Sequence, residues 1–238
     1  IGITFKIGRS TLPDANKRRS ESIFEEIYRD LYARYKGELI SDSRSRKHPK
    51  WMDRLQIIDS TTITLFSNLI FKGVGRHPKT GKKKGGIKVH TVILANEGVP
   101  SDIKFTSAAT NDSFMLKPSN LNKGDIMAMD RAYVNYEKFE ELTQRGVIYV
   151  TKMKKSLKYT INQDVMYQTA DGLMEVRLQQ VTFSKQLKTG EIIMHNARII
   201  TYVDINKCKL ISLLTNDMDS DPNEIIAIYR KRWEIELL

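Results

Sequence analysis

Residues 55–62 read LQIIDSTT: an apolar run, Leu55 to Ile58, that closes on Asp59 and passes into three turn residues, Ser60, Thr61 and Thr62. Residues 125–130, DIMAMD, repeat the pattern, with Ile126 to Met129 closing on Asp130. A short continuous apolar run bounded by polar residues reads as a buried strand. Between these two runs, IKVHTVIL (87–94) reads as a strand with Val89, Thr91 and Ile93 on one face. Asn96-Glu97-Gly98 supplies a hairpin turn, and residues 99–107 form the returning strand. Asn111 to Leu116 begins a short helix that Pro118 and Asn120 close. Further on, NYEKFEELTQR (135–145) is an amphipathic helix ended by Gly146, and residues 147–153 are another strand.

Working outward, Arg19 to Leu39 places Ile23, Ile27, Leu31 and Tyr32 at helical spacing, and residues 41–50 are a polar, basic linker. From residue 154 the texture is β throughout, with alternating runs at 175–183 and 197–205 and turn signals at Ala170-Asp171-Gly172 and Thr189-Gly190. Asp221-Pro222-Asn223-Glu224 starts a last helix: a capping Asp, Pro at the first position and Glu at the third, with the helix expected to run to Leu238. Three antiparallel strands followed by alternating helices and strands is the order of a ribonuclease-H-like α/β core, a mixed sheet flanked by helices. The expected organisation is an N-terminal helical segment (1–50), the first part of the core (51–153), a β-rich insertion subdomain (154–215) and a helix completing the core (216–238).

The chain has 238 residues, 40% hydrophobic and 28% charged, the composition of an ordinary globular protein with a sizeable core. Its longest mostly apolar stretch, 57–71, contains Asp59 and several Ser and Thr, so no membrane span is expected. No secretory signal opens it. A single cysteine, Cys208, makes no internal disulfide, and with four scattered histidines it builds no zinc site of the usual spacing; a reducing, cytoplasmic setting is expected. The sequence starts without Met and stops inside a helix, and is taken as a fragment. The formal net charge is +11, from 39 Lys and Arg against 28 Asp and Glu, which implies a polyanionic partner. Seven cations and no acid lie between Phe71 and His90: Lys72, Arg76, Lys79, Lys82, Lys83, Lys84 and Lys88. That density suits a loop that follows a phosphate backbone. Residues 152–158, with four Lys, and Arg230-Lys231-Arg232 extend the basic surface.

In a core of this order the first and fourth strands are neighbours, so Asp59 and Asp130 fall side by side at one sheet edge. Alone, either is equally a turn or helix-cap residue; together, two adjacent anions invite a divalent cation, and an oxygen-only donor set favours Mg²⁺ or Mn²⁺. Tyr229, Arg232 and Glu236 are spaced i, i+3, i+7 on one helical face. A helix packed across the sheet would turn Glu236 toward the aspartates while Arg232 and Tyr229 reach outward to phosphate. The same helix is also simply amphipathic, with Ile225, Ile228, Trp233 and Leu237 in the core; for Trp233 packing is the expected role. His90 faces either the carboxylates or the interior.

The chain resembles the DDE transposases of bacterial insertion sequences, in particular the group with the YREK signature. IIDSTT around Asp59, MDRAYVNYEKF (129–139) and YRKRWEIE (229–236) are similar to that family's three catalytic motifs, and GGIKVH, NDS (111–113) and RSTLPDANKRRS (9–20) also fit. Ala132 stands where many relatives have Gly, and the signature's final Lys falls beyond residue 238. The resemblance implies a cut-and-paste DNA transposase in which Asp59, Asp130 and Glu236 hold two Mg²⁺ ions (Mn²⁺ as substitute), Asp59 bridging them. It further implies that water nicks a transposon end and that the freed 3′-hydroxyl makes a hairpin. The hairpin is then opened, and the 3′-end attacks target DNA. Tyr229 and Arg232 would clamp phosphates near the cleaved end, and Arg76, Lys82, Lys83, Lys84 and Lys88 would supply affinity along the backbone. An aromatic of the insert (Tyr159, Tyr167, Phe183 or Tyr202) would hold a flipped base. The implied partners are double-stranded DNA and a second copy of the chain, in a bacterial, nucleoid-associated setting. Two other readings stay open: a non-transposing nuclease of the same fold, and a non-catalytic, transposase-derived DNA-binding protein.

Overall fold

The structure is a computed structural model; it describes residues 8–20, 22–44, 48–64, 86–187, 189–204 and 208–237. The chain divides into two compact units, Ile1–Arg46 and Lys47–Leu238. The first holds two helices, α1 (Thr11–Arg18) and α2 (Ser22–Arg44). α2 contains all four of the expected apolar positions and carries i, i+4 ion pairs from Arg29 to Glu25 (2.8 Å) and from Arg34 to Asp30 (2.9 Å).

In the second unit, β1 (Leu55–Thr64), β2 (Gly86–Leu94) and β3 (Pro100–Ser107) form an antiparallel meander. β4 (Ile126–Met129) then pairs parallel with β1, and β5 (Ile148–Lys152) pairs parallel with β4 after the helix α3 (Tyr136–Gln144). Parallel neighbours need such a crossover. The order β3-β2-β1-β4-β5 is the ribonuclease-H-like arrangement expected from the sequence. The β-rich residues supply four more strands, β6 (Thr160–Gln168), β7 (Glu175–Gln186), β8 (Ile192–Asp204) and β9 (Lys209–Thr215). They extend the same sheet: β9 pairs antiparallel with β5, giving nine strands among the described residues in the order β3-β2-β1-β4-β5-β9-β8-β7-β6.

Strand alternation sorts the core into two apolar layers. Ile58, Met127, Met129 and Tyr149 pack with Phe139 and Leu142 of α3. Their neighbours Ile57, Ile126, Ala128 and Val150 pack on the other face with Ile225, Ile226 and Ile228 of α4 (Pro222–Lys231). All four residues of β4 are therefore buried, which is why DIMAMD shows no polar alternation. Each buried Ile or Met side chain here contributes about 1.5–3 kcal/mol relative to exposure.

The end signals act as the sequence implies. Asn135 caps α3 by accepting from the Lys138 N–H, and Asp221 caps α4 by accepting from the Asn223 N–H, with Pro222 in the first turn. Gly146 ends α3 at φ +70°, and a Cβ there would lie 3.0 Å from Lys123 Cγ. Three expectations are corrected. Ser60 to Thr62 are strand, because β1 runs on through Asp59 in register with β2 (Ser60 opposite His90, Thr62 opposite Lys88). Residues 111–116 hold only a 3-10 turn, Asp112–Met115. The last helix stops being α at Lys231 and continues as a 3-10 segment, Arg232–Leu237, so the i, i+7 spacing no longer fixes one face.

Candidate active site

Asp59 follows the last residue of β1 that pairs with β4, Ile58 opposite Met129, and Asp130 is the residue after Met129. Two adjacent parallel strands thus carry their carboxylates to one end of the sheet. Both line a cleft of about 490 Å³ together with Ser60, Asp112, Tyr133 and Arg232. Asp130 is a cap as well: its Oδ1 accepts from the Ala132 N–H at 3.0 Å and starts the 3-10 turn Arg131–Tyr133. Its Oδ2 accepts no hydrogen bond among the described residues.

Asp59 meets a cation already present in the chain. Its Oδ2 lies 2.8 Å from Arg232 Nη1, and its Oδ1 accepts from the Ser60 N–H at 2.7 Å. Arg232 is buried, with its guanidinium 4.8 Å from the centre of the Trp233 ring and 5.5 Å from that of Tyr229. Burial works against its charge, but Tyr229, Asp59 and Asp130 outweigh that and hold its pKa above the ordinary value. Trp233, expected in the core, is 44% exposed and lines the cleft. The 3-10 geometry turns it away from the α4 layer.

Beneath the carboxylates lies a second set of polar groups. Ser60 Oγ donates to Asp112 Oδ1 at 2.6 Å, and Lys88 Nζ lies 3.1 Å from the same oxygen while donating to the Thr110 carbonyl at 2.7 Å. The Tyr133 hydroxyl, buried beside Ser60 and Asp112, is pushed far above its usual pKa by desolvation. His90 faces the interior, fully buried, with Nε2 2.8 Å from Thr106 Oγ1; burial lowers its pKa against the pull of Asp112.

The structure therefore brings Asp59, Asp130 and Arg232 together. Glu236 lies in the adjoining 3-10 segment, and its side chain is outside the described residues, as are Arg76, Lys82, Lys83 and Lys84. Tyr229 is packed under Arg232, and burial raises its pKa. Lys88, expected at the DNA backbone, is buried and engaged by Asp112 instead. Among the insert aromatics, Phe183 and Tyr202 are core residues while Tyr159 and Tyr167 are partly exposed. Among the described residues no three His, Cys, Asp or Glu side chains converge as a ligand set. Ser60, Asp112 and Tyr133 were given no role of their own by sequence reasoning, although each lies inside a motif quoted for the resemblance (IIDSTT, NDS and MDRAYVNYEKF).

Comparison with known proteins bears on this site. The family described as the transposase DDE domain matches residues 50–238. The chain is 28% identical over 231 residues to a protein of Sinorhizobium fredii designated as transposase y4zB, with 97% of this chain covered. It is 26% identical over 239 residues to a protein of Synechocystis sp. designated as the transposase for insertion sequence element IS4SA, with 96% covered. The chain spans 61% and 60% of the lengths of these two relatives. A solved chain in a piggyBac transposase synaptic complex with hairpin DNA aligns at a TM-score of 0.40 and 10% identity, covering 77% of this chain and 39% of that one. No helix among the described residues is long and apolar enough to cross a membrane. The matched span contains both strand-end aspartates and the arginine paired with Asp59, and the chain belongs to the transposase DDE domain family.

Proposed function

We propose that this chain carries the catalytic centre of a DNA transposase, with Asp59, Asp130 and Glu236 as the catalytic carboxylates. The observation that carries the proposal is the delivery of Asp59 and Asp130 to one cleft by two parallel neighbouring strands. The donor chemistry fits a divalent cation: all-oxygen ligands, an open Asp130 Oδ2, and an Asp59 that already attracts a positive charge at 2.8 Å. Asp59, Asp130 and Glu236 would hold two Mg²⁺ or Mn²⁺ ions, which would supply activation of the attacking oxygen and offset charge on the leaving one.

The chain's own groups do the positioning. The Ala132 N–H and the Ser60 N–H each orient one oxygen of an aspartate; the other oxygen of Asp59 meets Arg232, and that of Asp130 accepts no hydrogen bond among the described residues. Arg232 balances Asp59 in the cleft and, when a phosphodiester enters, offers its guanidinium to a non-bridging oxygen. The Trp233 and Tyr229 rings, 4.8 and 5.5 Å from it, flank that guanidinium by cation–π contact. In the first reaction a water O–P bond forms and the O3′–P bond of the transposon end breaks, freeing a 3′-hydroxyl. In hairpin formation and in strand transfer a 3′-hydroxyl attacks phosphorus and displaces another 3′-oxygen, which conserves the number of phosphodiester bonds; between these two steps a second water breaks the hairpin phosphodiester and frees the 3′-hydroxyl again. The hairpin intermediate and insertion into target DNA follow this chemistry. Arg76, Lys82, Lys83 and Lys84 are assigned to the DNA backbone, the division of the unit into a core (51–153, 216–238) and an insertion (154–215) is retained, and two copies are assigned to the paired element ends.

The test is Mg²⁺-dependent nicking and joining of an element-end duplex by the full chain. Alanine at Asp59, Asp130 or Glu236 should abolish nicking and leave DNA binding intact. Parallel loss of binding would overturn the catalytic assignment, and cleavage without joining would favour a non-transposing nuclease.

A further inference from the structure

The Lys88–Asp112–Ser60 chain reaches the cleft through Asp112 and Ser60, which line it, and has no part in the chemistry described so far. Asp112 is the third carboxylate lining that cleft, yet its surroundings differ from those of Asp59 and Asp130. One oxygen, Oδ1, takes both the Ser60 hydroxyl (2.6 Å) and the Lys88 ammonium (3.1 Å). The ion pair is mostly shielded, with side-chain exposures of 11% for Lys88 and 17% for Asp112. An ammonium so placed cancels the Asp112 charge, so that the carboxylate adds little repulsion to its two neighbours.

Asp112 itself is firmly seated. It begins a 3-10 turn capped by Asn111, whose side chain accepts from the Ser113 N–H. Lys138 of α3 holds the same turn by donating to the Ser113 carbonyl at 2.6 Å and to the Leu116 carbonyl at 2.5 Å. Lys88 is fixed in turn by the Thr110 carbonyl. The acceptor offered to Ser60 is thus built from β2, the 3-10 turn and α3. Ser60 is joined to Asp59 by one peptide bond, and its own N–H donates to Asp59 Oδ1 at 2.7 Å. A force on the Ser60 side chain is felt directly by the Asp59 carboxylate.

We propose that Asp112 is a positioning residue: neutralised by Lys88, it grips the Ser60 hydroxyl and so fixes the direction in which Asp59 presents its carboxylate to a divalent cation. The proposal rests on the reading of Asp59 as a cation ligand. Hydrogen-bonding partners of ligand residues typically change metal affinity by 10–100-fold when removed. Asp112→Ala alone would be ambiguous, because it strands a shielded Lys88 charge and endangers folding. Ser60→Ala removes the grip and leaves no charge without its partner, since Lys88 stays on Asp112.

The experiment is Mn²⁺ titration of the full chain by calorimetry and by electron paramagnetic resonance, with a thermal melt of each variant. Ser60→Ala should weaken Mn²⁺ binding about tenfold with an unchanged melt, and Ser60→Thr should restore it. The double variant with Asp112→Ala should be no weaker in Mn²⁺ affinity than Asp112→Ala alone, because the two act through one hydrogen bond. Wild-type affinity in Ser60→Ala, or equal weakness in Ser60→Thr, overturns the positioning role. Asp59→Asn serves as the separate control: Mn²⁺ binding indifferent to it overturns the carboxylate site itself, and this proposal with it.

Discussion

Arg232 Nη1 sits 2.8 Å from Asp59 Oδ2, joining two residues 173 positions apart in the sequence. The arginine side chain is 3% exposed and the aspartate 23%, so the pair is shielded on one side and open to the cleft on the other. An arginine so placed is the internal counter-charge of the candidate cation ligand.

That relationship predicts a stability change that a cation can reverse. Arg232→Ala leaves Asp59 without its partner and should cost about 2–3 kcal/mol, below the range for a fully buried pair because Asp59 is partly solvated. Mg²⁺ at millimolar concentration should recover much of the loss by taking the guanidinium's place. Thermal melts with and without Mg²⁺ measure both. A melt of Arg232→Ala that Mg²⁺ does not move would break the link between this pair and the cation site.

Asp130 has two separable roles. Asp130→Asn keeps an oxygen for the Ala132 N–H, so it should melt like the wild type while losing nicking by about 100-fold or more. Asp130→Ala should lose nicking too and also about 1 kcal/mol of stability, the cost of a lost cap. Equal melts for the two variants would contradict the capping role seen at 3.0 Å.

A pH dependence is built into the core. His195 is fully buried, with Nδ1 2.8 Å from Glu140 Oε2 and Nε2 2.7 Å from the Tyr149 hydroxyl. Desolvation lowers its pKa below the ordinary 6.5, although Glu140 pulls the other way. His90 shifts in the same direction, mainly from burial. For a histidine held below 6.5 the unfolded chain binds the proton first, so stability is full above that pH and falls as pH drops through it. Urea midpoints from pH 7.5 to 5 should decline, and His195→Gln should show a smaller decline. An identical slope in His195→Gln would assign the effect elsewhere.

Trp233 should matter for DNA more than for folding. Its ring is 44% exposed, and the Arg232 guanidinium lies 4.8 Å from its centre. Trp233→Ala should therefore cost only about 0.5–1 kcal/mol in a thermal melt. It should reduce affinity for an element-end duplex more than Trp233→Phe does, as read by fluorescence anisotropy.

The basic run of sequence around Lys82 should reveal itself through salt. Replacing Lys82, Lys83 and Lys84 with Ala should flatten the plot of log affinity against log salt by about 0.9 for each phosphate that is no longer neutralised. An unchanged slope would remove these lysines from the DNA path.

Much of this protein is legible in its residues because the relevant physics is local. Apolar runs that stop at Asp59 and Asp130 specify buried strands, and Asn135, Asp221, Pro222 and Gly146 mark helix ends through hydrogen bonds and backbone angles within a few positions. The sheet order follows, since a meander and a crossover leave few ways to bury both faces of β4. What lies across the chain was decided only in three dimensions. Nothing in the spacing of YRKRWEIE says that the helix tightens at Arg232, that Arg232 turns to Asp59, or that Trp233 is left in the cleft. By its position in the sequence Lys88 is one more cation of a DNA-facing loop, whereas β2 places it against Asp112. Composition counts charges, while their partners are set by which strands become neighbours. The same +11 chain therefore includes cations, such as Lys88, already paired with its own carboxylates.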